Sequence, residues 1–189
     1  FGQWAQHSRW WPDYNIRFFK KGTVEWQDQI HSVPITTGTG LNLDAEEALA
    51  IEHQHYNTID EYGQRALNYS TLQAKELIDS GYKFDARDLI GKPLGEFMSR
   101  FFAGDGYKDG LHVLVLALLQ MFSILLIYLK VWQHEDHEPK KANIFTPIWQ
   151  KIFLDKFKEL RYWYLTVLIQ SQSSKAKRFI LKLKRKLTK

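Results

Sequence analysis

Hydrophobic and polar positions change their period along the chain, from a strand-like front to a helical rear. Apolar and polar residues alternate over 14–19 and 23–30, and Gly22 lies in the "KKG" turn between these runs. The pattern predicts a β-hairpin. The stretch "EEALAIEHQHY" alternates in the same way, which predicts a third strand. One face of that strand would carry Leu49, Ile51, His53 and His55.

Helical periodicity begins near residue 58. Thr58 followed by Glu61 is typical of a capping box, and Gly81 is typical of a C-terminal cap, so we expect a helix over 59–80. A second helix is predicted to start near Pro93, because proline lacks an N–H that a first helical turn leaves unbonded.

The stretch 111–129, "LHVLVLALLQMFSILLIYL", contains no formally charged residue. As a helix it is about 28 Å long, close to the thickness of a bilayer core. His112, Gln120 and Ser123 dilute its hydrophobicity. Three interpretations stay open: a transmembrane span, a helix half-sunk in the membrane interface, or a buried core helix, of which the first two are equally favoured over the third.

Two further helices are expected after the polar linker "HEDHEPKKAN". The stretch "TPIWQKIFLDKFKELRYWYLTVLIQ" places aromatic side chains at helical spacing, and Trp and Tyr favour the headgroup boundary of membranes. The stretch 175–189 carries eight Lys or Arg and no acid in a chain of formal net charge +5. Because apolar residues interleave these charges, the pattern favours anionic lipid over nucleic acid.

Composition bounds the possible functions. A chain of 189 residues with 44% hydrophobic content fits one folded domain with appendages. The sequence has no cysteine, which excludes disulfides, thiolate zinc sites and cysteine nucleophiles and favours the cytoplasmic side. The opening "FGQWAQHSRWW" starts with Phe and lacks the features of a secretory signal, so we expect a fragment whose missing front holds part of any active site.

Candidate chemistry concentrates in the front, since the sequence contains no phosphate-loop, Rossmann, hydrolase-elbow or zincin motif. Trp10 and Trp11 offer flat apolar surfaces, while Asp13 and Arg17 offer a carboxylate and a planar fork of donors. This combination is typical of sugar binding. The alternative is that the tryptophans are core residues and the charges are solvated.

Histidines at the predicted strand ends are candidate metal ligands. His31, His53 and His55 would lie on neighbouring strands, where they could converge on a divalent cation. The alternative is that these histidines pair with carboxylates or line a polar cleft.

The order of three stretches carries a family resemblance. They are "WWPDYNIRFFKKGTVEWQDQIHSVP", "HQHYNTIDEYGQRALNYSTLQAKEL" and "KPLGEFMSRFFAGDGYKDGLHVLVLALLQ". Over residues 1–132 the chain resembles the C-terminal half of bacterial family 2 glycosyltransferases similar to the lipopolysaccharide-core glucosyltransferases. The resemblance implies an α+β fold, the C-terminal part of a GT-A domain followed by a mainly helical membrane-associating region.

The residue patterns, together with the resemblance over 1–132, divide the chain into four segments. Residues 1–57 would be the acceptor side of the glycosyltransferase domain, 58–110 connecting helices, 111–132 the apolar membrane-associating helix, and 133–189 aromatic and basic amphipathic helices.

The implied activity is sugar transfer with inversion, from a nucleotide-sugar to a lipid-linked saccharide or cell-envelope glycan. The enzyme would work at the cytoplasmic face of the cell membrane as a peripheral or monotopic protein, with a single span as the alternative. Mg²⁺ or Mn²⁺ would be held mostly by an aspartate-rich motif before residue 1. The competing hypothesis is a non-catalytic membrane-surface adaptor that binds anionic lipid.

The resemblance assigns roles to particular residues. The acceptor cleft would be lined by Trp10, Trp11, Asp13, Tyr14 and Arg17, and His31 or His53 would complete the metal shell. Close relatives often carry His-Glu at the strand end, whereas this chain has His31 followed by Ser32, and a serine cannot take the acceptor's proton without its own base. The base is therefore left open between His31, Asp28 and an acid in the missing front.

Overall fold

A computed structural model describes residues 2–26, 33–53, 56–135 and 146–188. The chain divides into two units, one comprising Phe1–Trp11 with Gln54–Lys189 and the other Pro12–His53. The described residues are mainly helical and include a small two-stranded antiparallel sheet, which confirms the α+β class. The assignment to part of a GT-A domain and the predicted segment boundaries stay predictions.

The smaller unit contains the sheet. Strand β1 (Val24–Glu25) pairs with strand β2 (Ile35–Thr36), so that Val24 lies opposite Thr36 and Glu25 opposite Ile35. The carbonyl of Thr23 extends the ladder by accepting the N–H of Thr37 at 3.0 Å. A single turn of 3₁₀ helix follows at Glu47–Leu49.

The predicted hairpin is wrong in its first strand. The "KKG" turn forms, because Thr23 donates its N–H and its hydroxyl to the carbonyl of Lys20 at 3.1 and 2.8 Å. Residues 14–19 form no strand, and Phe18 is 92% exposed. Alternation specifies a strand only where one face is covered, and this stretch has no such cover within its unit.

The predicted third strand is also wrong in its described part. Residues 47–49 form a 3₁₀ turn, and 50–53 have irregular backbone. Leu49 and Ile51 are both exposed, so no apolar face fixes a strand here. His55, like Asp28 and His31, lies outside the described residues, and so does most of the predicted polar linker.

The larger unit is built from five α-helices among its described residues. They are α1 (Ile59–Asp79), α2 (Asp88–Met98), α3 (Gly110–His134), α4 (Pro147–Ser171) and α5 (Lys175–Lys186). The predicted N-terminal cap of α1 is confirmed: Thr58 accepts the N–H of Glu61 at 3.1 Å. The Glu61 carboxylate in turn accepts the N–H of Asn57 at 2.8 Å, which stabilises the entry to the helix.

The predicted C-terminal cap of α1 is confirmed as well. Gly81 has a φ of +81° and donates its N–H to the carbonyl of Ile78 at 2.9 Å. Tyr82 donates its N–H to the carbonyl of Leu77 at 3.0 Å. This pair of bonds is a Schellman motif, which requires a left-handed residue at the Gly81 position.

Helix α2 begins earlier than predicted, at Asp88 rather than near Pro93. Asp85 starts the turn, because its side chain accepts the N–H of Arg87 and its carbonyl accepts the N–H of Asp88, both at 2.9 Å. Pro93 is buried inside the helix, where its missing N–H removes one i to i−4 hydrogen bond.

Two tight turns join α2 to α3. A π-helical turn, Ser99–Ala103, ends with the N–H of Gly104 bonded to the carbonyl of Ser99 at 2.7 Å. A 3₁₀ turn, Gly106–Asp109, then leads directly into α3. This junction holds the amino end of α3 in place.

Helix α3 lies at the centre of the larger unit, since it packs against both α1 and α2, and α4 packs against α2 and α5. A hydrophobic cluster joins α1 to the second half of α3. Its buried members are Ala74, Ile127 and Val131, and its partly buried members are Leu77, Ile78, Tyr82, Phe84, Ile124 and Tyr128.

Candidate functional site

The structure places the predicted acceptor residues in different units. Trp10 and Trp11 belong to the larger unit and are half-buried, whereas the other predicted acceptor residues belong to the smaller unit and are exposed. Those exposed residues are Asp13, Tyr14 and Arg17, and His53 is exposed in the same unit. Asp28 and His31 lie outside the described residues, so their roles stay predictions.

An N-terminal arm, residues 2–11, is anchored at the amino end of α3. Asp109, the residue before α3, accepts the backbone N–H groups of Gln6 and His7 on one carboxylate oxygen, both at 2.9 Å. Its other oxygen lies 2.6 Å from Nδ1 of His7. Ser8 then donates its N–H to the carbonyl of Gly104 at 2.7 Å. A carboxylate that satisfies two backbone donors fixes the path of the arm.

The arm fits closely against the turn because two residues there lack a Cβ. A Cβ on Gly106 would lie 2.6 Å from the carbonyl oxygen of Arg100 and 2.8 Å from the side chain of Val113. A Cβ on Gly104 would lie 3.0 Å from the Cα of Ser8. Ser8 is fully buried at this contact. The glycines of "AGDG" therefore permit backbone contact between arm and turn.

One face of Trp10 is covered by a charged network. The guanidinium of Arg100 lies 4.7 Å from the centre of the Trp10 ring, a cation–π contact. Arg100 also donates its Nε–H to Glu96 at 2.5 Å, and Arg9 donates to the same carboxylate oxygen at 3.0 Å. Trp10 is therefore held in place, and this face does not offer a free stacking surface for a sugar.

Trp11 packs against a second tryptophan. Its ring meets Trp4 edge to face, with the ring centres 5.2 Å apart. Trp4 is 44% exposed, so this pair presents aromatic surface at the end of the arm. The indole N–H of Trp10 and the hydroxyl of Ser8 are buried and meet no hydrogen-bond partner within the part of the chain that the structure describes.

Sequence reasoning missed most of this cluster. His7, Glu96 and Arg100 gave no signal, because each contacts a residue of the other segment about a hundred positions away, and such contacts leave no local pattern. Trp4 was missed although its partner Trp11 is close in sequence. Asp109 lies within the third stretch that carries the family resemblance, but its role as the anchor of the arm was not predicted.

The described residues do not assemble a metal centre. Across 2–26, 33–53, 56–135 and 146–188 no group of three His, Asp or Glu side chains is placed to hold a metal ion. His53 is exposed in the smaller unit. A divalent cation bound by His31 or His53 stays a prediction.

Helix α3, with the turn before it, has the properties of a membrane helix by length and composition. The stretch Gly106–His134 has a mean hydropathy of 2.4 in its most apolar window and is, of the described helices, the one apolar enough to cross a membrane. Its outward side forms an apolar stripe, with positions alternately four and three residues apart. The stripe consists of Leu111, Val115, Leu118, Phe122, Leu125 and Leu129.

Three polar residues of α3, Gln120, Ser123 and Lys130, face α1 instead. The hydroxyl of Tyr62 donates to the side-chain oxygen of Gln120 at 3.2 Å and lies 2.8 Å from the hydroxyl of Ser123. Burial raises the pKa of Tyr62 above its ordinary value, more strongly than the Ser123 hydrogen bond lowers it.

Lys130, nearer the carboxyl end of α3, also forms hydrogen bonds to α1. Its ammonium group donates to the carbonyl of Leu67 at 2.6 Å and to the hydroxyls of Ser70 and Thr71 at 2.9 and 2.6 Å. These three polar residues of α3 thus find hydrogen-bond partners on α1.

Helices α4 and α5 also present apolar side chains to the outside. On α4, Phe153, Phe157, Leu160 and Tyr164 are exposed at helical spacing. On α5, seven Lys or Arg and no acid are interleaved with exposed Phe179, Ile180 and Leu183. The two predicted amphipathic helices are therefore confirmed as helices, and their exposed faces combine apolar and basic character.

No family model matches this chain, and no curated protein or solved structure matches it either.

Proposed function

We propose that this chain is the acceptor-side portion of an inverting family 2 glycosyltransferase of the GT-A fold. It would take part in moving a sugar from a nucleotide-sugar to a lipid-linked saccharide or another cell-envelope glycan. The reaction would take place at the cytoplasmic face of the membrane.

The observation that carries the proposal is the anchoring of the arm at the amino end of the apolar helix. Asp109 directly precedes α3 and binds the backbone of Gln6 and His7. The aromatic residues of the arm therefore lie at one end of the helix that is apolar enough for a membrane. A lipid-linked acceptor would present its saccharide close to such a surface.

The chain leads directly from this arm into the predicted acceptor residues. Asp13, Tyr14 and Arg17 follow Trp11 and are exposed, so their polar groups are accessible to a ligand. Arg17 would bind acceptor hydroxyls or a phosphate, since its planar donors suit both. Within the aromatic cluster, the Trp4 and Trp11 pair suits a sugar ring better than Trp10, whose one face Arg100 covers.

The proposed chemistry is a single displacement. A base removes the proton of the acceptor hydroxyl, the resulting oxygen attacks the anomeric carbon, and the nucleoside diphosphate leaves with the bonding electrons. His31 and Asp28 are the base candidates in this chain. In this proposal His31 or His53 would supply one ligand to Mg²⁺ or Mn²⁺.

The test is sugar transfer by the intact protein with Arg17→Ala. Loss of a charged hydrogen bond to the substrate predicts a fall in transfer of about 10-fold or more. Lys75→Ala is the matched control, because it removes an exposed positive charge from α1, and it should leave transfer unchanged. Transfer at the original rate by the Arg17 variant would contradict the assignment of this residue.

A second function is favoured by the exposed basic and aromatic faces of α4 and α5. These faces would also suit a non-catalytic adaptor that binds anionic lipid. Both proposals predict binding to anionic vesicles, but only the first predicts consumption of a nucleotide-sugar. Vesicle binding without nucleotide-sugar consumption, tested with lipid-linked saccharides as acceptors, would favour the adaptor.

A further inference from the structure

We propose that α3 does not span the bilayer but lies in the plane of the membrane interface, with its apolar stripe in the lipid and α1 on the aqueous side. The inference rests on the membrane association of the proposed function and specifies how this surface meets the lipid. The occupant of this surface is a bilayer, because charged residues flank α3 on its other sides.

Helix α1 runs beside the second half of α3 and in the same direction. Tyr62 bonds to Ser123, which is close to the midpoint of α3, and Ala74 packs with Ile127 and Val131 further along. If α3 spanned a bilayer, the first turns of α1 would therefore lie near the bilayer centre.

Those turns of α1 carry exposed charges. Asp60, Glu61 and Arg65 lie within one turn of Tyr62 and are all exposed. Further along the helix, Lys75, Glu76 and Asp79 are exposed as well. Ionised side chains without a protein or water cavity are strongly disfavoured in the hydrocarbon region, so this packing is incompatible with a lipid-surrounded span.

The other flank of α3 is charged too. Lys92 and Glu96 of α2 line a shallow depression together with Ile124 and Ile127 of α3. The middle of α3 is therefore bordered by ionisable residues from two helices. At the amino end of α3 the stripe residues Leu111 and Val115 line a second depression, with Ile59 of α1, Asp109 and His112. The rest of the stripe, from Leu118 to Leu129, lies on the side of α3 opposite the residues that bond to α1.

The two faces of α3 match an interfacial helix. Gln120, Ser123 and Lys130 bond to α1, while Leu118 and Phe122 of the stripe are 43% and 47% exposed. A helix of this type sinks its apolar face to the boundary between headgroups and acyl chains. Helix α5, with its seven Lys or Arg and no acid, provides charge complementarity to an anionic bilayer.

The orientation has a consequence for the arm. An α3 that lies flat keeps its amino end, and with it Asp109 and the arm, at the level of the lipid headgroups. The saccharide of a lipid-linked acceptor emerges at the same level. The aromatic pair of Trp4 and Trp11 would then meet the acceptor without drawing its lipid out of the membrane.

The absence of cysteine from this sequence permits a direct test with single spin labels on the full chain. Leu111→Cys, Leu118→Cys and Leu125→Cys sample the stripe, and Asn68→Cys samples an exposed position on α1. Each labelled chain is bound to vesicles of phosphatidylcholine and phosphatidylglycerol. Accessibility to oxygen and to a water-soluble nickel chelate then gives the depth of each label.

We expect the three stripe labels to lie at similar depth and the Asn68 label to remain accessible to nickel. Greater depth at Leu118 and Leu125 than at Leu111, with the Asn68 label shielded from nickel, would show a span and overturn the orientation while leaving the proposed function standing. A chain that does not bind the vesicles would overturn both. Each chain carries one label, so dipolar broadening of the spectra of the stripe labels would report a second chain nearby. Broadening in solution that persists with vesicles present would show a second copy of the chain as the occupant and overturn the proposal.

Discussion

Tyr62 is the residue that couples α1 to the polar side of α3. It is only 4% exposed, and its hydroxyl bonds to Gln120 and Ser123. We expect Tyr62→Phe to lower the free energy of unfolding by about 1–2 kcal/mol, because Gln120 loses a buried partner. Ser123 keeps its bond to the carbonyl of Leu119, so the loss is smaller there. Chemical unfolding of the two proteins at neutral pH measures the difference.

The same tyrosine predicts a loss of stability in alkali. Burial raises the pKa of Tyr62 above its ordinary value of 10.0. As the pH rises through 10, the unfolded chain ionises this tyrosine before the folded chain does, so stability falls until the folded tyrosine ionises too. Tyr62→Phe should flatten this part of the pH profile. Equal slopes above pH 10 in both proteins would contradict this account.

Asp109 is the anchor of the arm and gives a prediction that is independent of catalysis. Asp109→Ala removes the acceptor of the Gln6 and His7 N–H groups. Because bonds to a charged group contribute about 1.5–3 kcal/mol, hydrogen exchange at these two amides should accelerate by at least 10-fold. Asp44→Ala, which removes an exposed carboxylate from the smaller unit, is the control and should leave both amides protected.

The arm also shows what limits prediction of a site from sequence. Trp10 and Trp11 were predicted to lie at the site because paired aromatics next to charges have a known chemistry. Their partners Arg100 and Trp4 were not predicted, since neither contact follows from a local repeat. Asp13 and Arg17 are exposed in the other unit, where their predicted roles depend on a ligand.

At the scale of elements, the same Gly→Ala substitution at two positions of the α1 region tests whether Gly81 caps the helix and Gly63 lies inside it. Gly81 has a φ of +81° in the Schellman cap, whereas Gly63 lies inside α1, and a Cβ would meet no atom within 4 Å at either position. Gly81→Ala should lower stability by about 1–2 kcal/mol through backbone strain. Gly63→Ala should raise it by roughly 0.5–1 kcal/mol through helix propensity.

Thermal unfolding of both glycine variants measures these changes, and crowding cannot explain either of them. Opposite signs are therefore the expected result. A loss of stability from Gly63→Ala, or a gain from Gly81→Ala, would contradict the cap assignment.

The elements that were predicted correctly have local causes. The ends of α1 follow from Thr58 and Gly81, which act within one turn of the chain. Strands depend instead on a partner and on a covered face. Strand β1 pairs with β2, while Phe18 and Ile51 remain exposed in alternating stretches that form no strand. The start of α2 was misplaced because the prediction rested on Pro93, whereas the turn at Asp85 starts the helix at Asp88.

At the scale of the whole molecule, the exposed sides of the helices differ in charge and hydrophobicity. Helix α1 carries charges of both signs on its exposed side, and α3 carries none on its stripe. Helix α5 combines basic residues with exposed Phe179 and Ile180. This difference agrees with one side of the larger unit in water and another in lipid. The sequence pattern of 111–129 alone favoured a span and an interfacial helix equally, because it does not show which residues pack beside the helix.

The basic helix predicts how membrane binding depends on charge. Lys182→Gln together with Lys184→Gln removes two charges from α5, where no acid compensates them. At about 1 kcal/mol per basic residue near an anionic surface, affinity for phosphatidylglycerol-containing vesicles should fall by about 30-fold. Added salt should narrow this difference, because it screens the exposed charges. Vesicle sedimentation over a series of lipid concentrations gives both affinities.

Two comparisons separate electrostatic attraction from burial of apolar surface. Lys75→Gln removes one positive charge from α1, which faces water in the proposed orientation. It should lower the affinity for anionic vesicles far less than a single Lys→Gln substitution on α5. On vesicles of phosphatidylcholine alone, the double variant and the original chain should bind equally, because only the apolar stripe and the exposed aromatic residues contribute there. If the double variant binds anionic vesicles as tightly as the original chain, α5 does not face the lipid. Attachment would then depend on α3 and α4 alone.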